Sequence, residues 1–131
     1  MTRYAIASLL LSACAALAAP VPRQAPPKQL TADMMVGTWH YEWDDLLDGV
    51  ISFDAGGGYT AVHVPGGCHV YYGSWRVEAD AVILTEYVHN LDTNARGGPS
   101  EYRFRFKPAD YPRLKGLSNG AGHVALSRVK P

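Results

Sequence analysis

The sequence predicts an all-β chain folded as an antiparallel up-and-down β-barrel of seven to eight short strands, with one short N-terminal helical turn. Three observations predict it. From residue 38 onward, short runs alternate apolar with polar residues and are separated by Gly, Pro, Asn and Asp, the pattern of half-buried strands joined by tight turns. The runs follow one another without a helix-length segment between them, and closing such a meander removes the exposed edges that an open sheet leaves. Charge is also segregated. Six acidic residues and no Lys or Arg lie between positions 29 and 75, whereas positions 96–130 hold eight basic residues against Glu101 and Asp110. A barrel that sets its first strand beside its last brings the two halves together along a seam.

Residues 1–18 read as an export signal. Arg3 precedes an apolar run over 4–13, too short to span a bilayer, and Ala16-Leu17-Ala18 fits the small-x-small cleavage pattern. A competing reading rests on Leu11-Ser12-Ala13-Cys14, which resembles the lipobox of bacterial lipoproteins and would make Cys14 a lipidated first residue. The expected location is secreted or periplasmic, with lipid anchoring to the cell envelope through Cys14 as the alternative. Neither reading provides a transmembrane segment. Residues 19–29, with Pro22, Pro26 and Pro27, have little to bury and read as a Pro-rich linker, leaving 30–131 as the domain.

Thr31 is placed to cap one helical turn ending at Met35. The first strand, 38–43, sets Trp39, Tyr41 and Trp43 on one face. Strands over 49–53, 59–64, 68–77 and 81–88 follow, and 101–107 alternates Tyr102, Phe104 and Phe106 against Arg103, Arg105 and Lys107. A short strand at 114–117 and a last one at 123–129 complete the series. Residues 89–100 carry no periodicity and read as a long mobile loop.

The turn at 65–67 sets a register in which Val64 opposes Cys68 and His63 opposes His69. That places Val62, Val64, Cys68, Val70 and Tyr72 on the core face, with Cys68 inward and inert, and the two histidines outside with Tyr71 and Ala61. Beyond Gly73 the apolar parity passes to Trp75 and Val77, which predicts a β-bulge. Adjacent strand residues face opposite ways, so Cys68 and His69 cannot share a metal ion without a kink. Two histidines are too few for structural zinc.

Composition excludes several functions. With twelve basic and twelve acidic residues the net charge is zero, which argues against nucleic acid and anionic membranes as partners. The Gly-rich run 54–58 lies between strands with no helix behind it, so it does not cradle phosphate. Asp44, Asp45 and Asp48 crowd one turn without calcium-loop spacing. No nucleophile elbow occurs, and the expectation is a protein that is not an enzyme and carries no cofactor or metal.

Gly37-Thr38-Trp39, with a helical turn before it and Arg128 on the final strand, resembles the signature of the lipocalin or calycin group. Tyr72-Gly73-Ser74-Trp75-Arg76-Val77 followed by Ile83-Leu84-Thr85 is similar to the mid-barrel hairpin of short lipocalin-like domains in secreted bacterial proteins. The resemblance implies that Gly37, Trp39 and Arg128 are structural, with the Arg packed across the Trp at the barrel floor. It also implies an interior that binds a small apolar or amphipathic molecule, for which Trp39, Trp43, Tyr72, Trp75 and Phe104 are the aromatic candidates. The domain is shorter than a full lipocalin, without its C-terminal helix or inter-strand disulfide. A filled barrel acting as an interaction or inhibitor module for an envelope protein, with 89–100 as its contact loop, is therefore the alternative.

Overall fold

A computed structural model describes residues 20, 22–44, 47–64, 67–119 and 122–129; the signal segment and Cys14 lie outside the described residues. Helix α1 (Ala32–Met35) precedes strands β1 (Gly37–Trp43), β2 (Leu47–Phe53), β3 (Gly58–Val64), β4 (His69–Glu78), β5 (Ala81–Asn90), β6 (Arg96–Phe106), β7 (Arg113–Ser118) and β8 (Gly122–Arg128). A 3-10 turn, Pro108–Asp110, joins β6 to β7. Each strand pairs antiparallel with the next and β1 pairs with β8, so the sheet is a closed barrel, as the strand pattern predicts and consistent with a lipocalin-like fold. No helix of the described residues is long and apolar enough to cross a membrane.

Alternation decides which side chains fill the barrel. Trp39 and Tyr41 of β1, Ile51 and Phe53 of β2, Val82 and Leu84 of β5, Phe104 and Phe106 of β6, and Val124 and Leu126 of β8 are buried in one cluster. In an up-and-down barrel successive connections lie at alternate ends. Residue Leu30 and α1 close one end, where Leu30, Met35 and Trp39 are fully buried. Residues 22–29 form no helix or strand and are mostly exposed. The charge seam forms no ion pairs: among the described residues these are Arg76–Glu78, Arg103–Glu78 and His40–Glu42.

Four expectations are corrected. Thr31 precedes α1 but makes no side-chain capping bond. It is the C-terminal end that side chains hold: Trp39 Nε1 donates to the Met35 carbonyl at 2.8 Å, and Arg128 Nη2 donates to those of Met34 and Val36 at 2.6 and 3.1 Å. Those carbonyls have no partner within so short a helix.

The stretch 89–100 is mostly strand. β5 runs to Asn90 and β6 starts at Arg96, with Val88 opposite Gly97 and His89 opposite Arg96. Its side chains beyond Asn90 are exposed, so neither face is buried and no alternation is written into the sequence. The remaining connection, 91–95, is tied by Asn90, whose N–H donates to the Ala95 carbonyl and whose Oδ1 accepts the Asp92 and Thr93 N–H groups.

The β3–β4 register is the expected one, with Val62 opposite Val70 and Ala61 opposite Tyr71, but the faces are reversed. Ala61 is buried and Val62 is 42% exposed. His63 and Tyr71 face inward, while Val62, Val70 and Tyr72 share the opposite parity. Cys68 sits at a bend before β4, half-buried and outside the core cluster. That bend is the kink a Cys–His contact requires: Cys68 Sγ lies 3.5 Å from His69 Nδ1.

No bulge interrupts β4, whose pairing with β5 is continuous from His69 to Glu78. The apparent parity change arises because apolar Val70 and Tyr72 lie on the outward parity, and Gly73, at an inward register position, has no side chain to reveal it. The bulge lies instead in β6, where Gly98 and Pro99 oppose the single residue Tyr87 between the Glu86–Ser100 and Val88–Gly97 pairs. Gly98 has φ +105°, and Pro99 has no N–H to offer the ladder.

Candidate functional site

The open end of the barrel holds a cavity of about 150 Å³ lined by Tyr41, Trp43, Ile51, Ala61, His63, Tyr71, Leu84, Glu86, Tyr102 and Phe104. Each comes from an inward position of its strand, and small residues make the room. Gly49 lies between Tyr41 and His63 in the sheet, and a β-carbon there would collide with the Val62 carbonyl and crowd the Tyr41 ring. Without one, the Tyr41 and His63 rings meet across β2 at 5.8 Å, and His63 meets Tyr71 edge-on at 4.8 Å. On the other side Trp43 meets Tyr41, Tyr102 and Phe104 at 6.5, 5.8 and 6.0 Å. Aromatic rings thus form most of the wall.

Glu86 is the acidic group in that wall. It follows Val82 and Leu84 on the inward parity of β5, immediately before the bulge. Its Oε2 accepts the Tyr59 hydroxyl at 2.9 Å, and its other oxygen makes no hydrogen bond to the described residues. Burial raises the Glu86 pKa above the ordinary glutamate value, and the Tyr59 hydrogen bond opposes that shift. Tyr41 and Tyr59 are pushed well above the usual phenol range by burial and by the Glu86 charge, and Tyr71 and Tyr102 move upward for the same reasons. The His63 pKa is lowered by burial, an effect the Asp48 backbone opposes and His69 reinforces. His63 Nδ1 is buried with no side-chain or backbone partner in good hydrogen-bond geometry.

A carboxyl group with a raised folded pKa costs stability once it ionises, because the unfolded chain gives up its proton at lower pH. Glu86→Gln is therefore expected to stabilise the fold at neutral pH. The advantage should shrink as pH falls through the raised Glu86 pKa toward the ordinary glutamate value, where both side chains are neutral. Chemical denaturation of both proteins across that range checks it; a pH-independent difference would contradict it.

The expected aromatic residues separate into groups. Trp43 and Phe104 line the cavity. Trp39 and Trp75 lie in the closed half: Trp39 is fully buried on the floor, and Trp75 is packed against Phe53 at 5.1 Å with its Nε1 donating to the Asp54 carbonyl at 3.0 Å. Tyr72 is a correction. It is outside the barrel, stacked on Tyr87 at 5.7 Å, because its parity is that of exposed Val62. On the floor, Arg128 lies 4.7 Å over the Trp39 ring and 5.9 Å from that of Tyr111. Gly37, at φ +126°, leaves space for it; a β-carbon there would sit 2.9 Å from Arg128 Nη1.

Sequence reasoning missed Glu86, Tyr41, Tyr59 and Tyr71 as site residues. The signal was a carboxylate at the i+2 and i+4 positions of the apolar pair Leu84 and Val82. It also missed that His40, Glu42 and Asp48 bring ligand-type atoms within 4.8 Å on the outer surface. The i, i+2 spacing of His40 and Glu42 opposite Asp48 in the β1–β2 hairpin produces that trio, a common arrangement among exposed groups. A roomier groove of about 490 Å³ runs outside β1, β7 and β8 past Glu42, Asp44, Lys115 and His123, whose mixed charges converge on nothing.

Fold and site together define a class: a closed eight-stranded antiparallel β-barrel with an aromatic cavity at its open end. No protein-family model matches the chain, and no curated protein matches its sequence.

Proposed function

We propose that this protein is an exported, calycin-type binding protein that holds a small amphipathic molecule in the open-end cavity and performs no chemistry on it. The observation that carries this reading is a cavity walled by Tyr41, Trp43, Tyr71, Tyr102 and Phe104 around one polar pair, Glu86 with Tyr59. Apolar walls with a few convergent polar groups are the general make-up of small-molecule sites. The volume of about 150 Å³ selects a ligand near the size of benzene and excludes a long acyl chain. Export is supported by the sequence of residues 1–18, and the Gly37, Trp39 and Arg128 arrangement supports the calycin assignment.

Trp43 reports occupancy, since it lines the cavity. At least one of choline, cyclohexanol and 3,3-dimethyl-1-butanol is expected to bind one-to-one by calorimetry and to change tryptophan emission. Ala61→Phe, which fills the cavity from β3, should abolish binding while far-ultraviolet circular dichroism stays unchanged. Failure of all three to bind the folded, ligand-free protein would overturn the reading and leave the barrel acting through its surface.

A further inference from the structure

The cavity places a single carboxylate among rings with no cation to answer it. Among the described residues neither Lys nor Arg lines it, and Glu86 has one hydrogen-bond partner, Tyr59. Aromatic rings attract a positive charge through their quadrupoles, most strongly where water is excluded. A carboxylate in such a place either stays protonated or acquires a cation from outside.

The mouth points the same way. The described residues of the connections at the open end, 44, 67–68, 91–95 and 119, include Asp44 and Asp92 and no Lys or Arg. Among the described residues of the strand ends there, Arg96 is the one Lys or Arg, and it is exposed; Asp48 adds a further negative charge, while Lys115 shares the outer groove with Asp44. Lys107, Arg113 and Arg128 belong to the opposite end. Asp44, Asp48 and Asp92 outnumber Arg96 and Lys115 at this rim, a balance that favours an approaching cation over an anion.

We propose that the molecule bound in this cavity is a small alkylammonium ion, its charge set against Glu86 and its carbon substituents against Tyr41, Trp43, Tyr71 and Tyr102. This rests on the cavity being a ligand site, as proposed above, and adds the charge of the ligand. A neutral amphiphile satisfies the rings and leaves Glu86 unanswered; a cation satisfies both. Acid weakens binding, because it protonates Glu86. The titratable groups facing Glu86 are Tyr41 from β1, Tyr59 and His63 from β3, Tyr71 from β4 and Tyr102 from β6. The tyrosines stay neutral below pH 8, and protonation of His63 adds to the weakening.

Two probe pairs of matched shape test it by calorimetry at pH 8: choline against 3,3-dimethyl-1-butanol, and butylammonium against 1-butanol. The cation is expected to bind at least about tenfold tighter than its neutral counterpart in one pair or both. Glu86→Gln should remove that preference, bringing the cation to within about twofold of the neutral probe measured on the same variant. Neutral probes binding as tightly as the cations in both pairs would overturn the cation assignment and leave the binding function standing. So would a cation preference that survives Glu86→Gln. If nothing binds, the function itself falls, a distinct result. Should Glu86→Gln not fold, the two wild-type pairs decide alone.

Discussion

Trp39→Ala is expected to destabilise the protein by about 3–5 kcal/mol, the usual cost of emptying a fully buried tryptophan site. Stabilities of single domains are about 5–15 kcal/mol, so this one change endangers folding. Much of the loss is not apolar area. The indole N–H holds the Met35 carbonyl, and the ring carries Arg128 at 4.7 Å. Arg128 in turn donates to the Met34 and Val36 carbonyls, and a hydrogen bond from a charged group contributes about 1.5–3 kcal/mol. Arg128→Ala should therefore cost about 2–4 kcal/mol and release α1 from the barrel floor. Trp39 and Arg128 are also register partners across the seam where β1 meets β8, so both changes act on barrel closure. A double-mutant cycle by urea denaturation should give a coupling of about 1 kcal/mol or more. Strict additivity would mean that the ring and the guanidinium stabilise the floor independently.

Where the interior is apolar, alternation in the sequence identifies it. Trp39, Tyr41 and Trp43 on β1 and Tyr102, Phe104 and Phe106 on β6 face the side their pattern indicates. The reversed face of the β3–β4 hairpin, the missed Glu86 and the strand read as a loop all lie toward the open end, and the first two share a cause. There the inward positions carry His63, Tyr71 and Glu86, while Val62 is exposed outside, so a rule that sends apolar residues inward selects the wrong face. Sequence-level consistency is lost where an aromatic cavity with a few polar groups replaces the core, which is where a functional site is expected to break it. At 96–101 the reason differs: both faces of β6 are in water, and no periodicity exists to be read.

Gly73→Ala is expected to be among the most damaging single-carbon additions in the barrel, and it links stability to the site. Gly73 lies opposite Glu86 on β5 and opposite Tyr59 on β3, between the two halves of the Glu86–Tyr59 hydrogen bond. A β-carbon at Gly73 would collide with the Thr85 carbonyl oxygen and touch the Tyr59 ring at 3.4 Å. The first obstacle is backbone of the neighbouring strand, which cannot turn aside as a side chain does, so β4 and β5 must separate locally. A loss of about 3 kcal/mol or more follows, read as a fall in Tm of about 12 °C or more for a domain this size. Gly67→Ala is the control. It lies in the connection leading to β4, where a β-carbon meets only the His69 nitrogen at 3.9 Å, and it should change stability by about 0.5 kcal/mol at most. Choline binding, measured on whatever fraction of Gly73→Ala remains folded, should weaken as well, because the substitution displaces the strand that carries Glu86. If Gly73→Ala proves as mild as Gly67→Ala, β4 and β5 do not approach closely enough at this point to exclude a side chain, and the missing parity signal at residue 73 needs another cause.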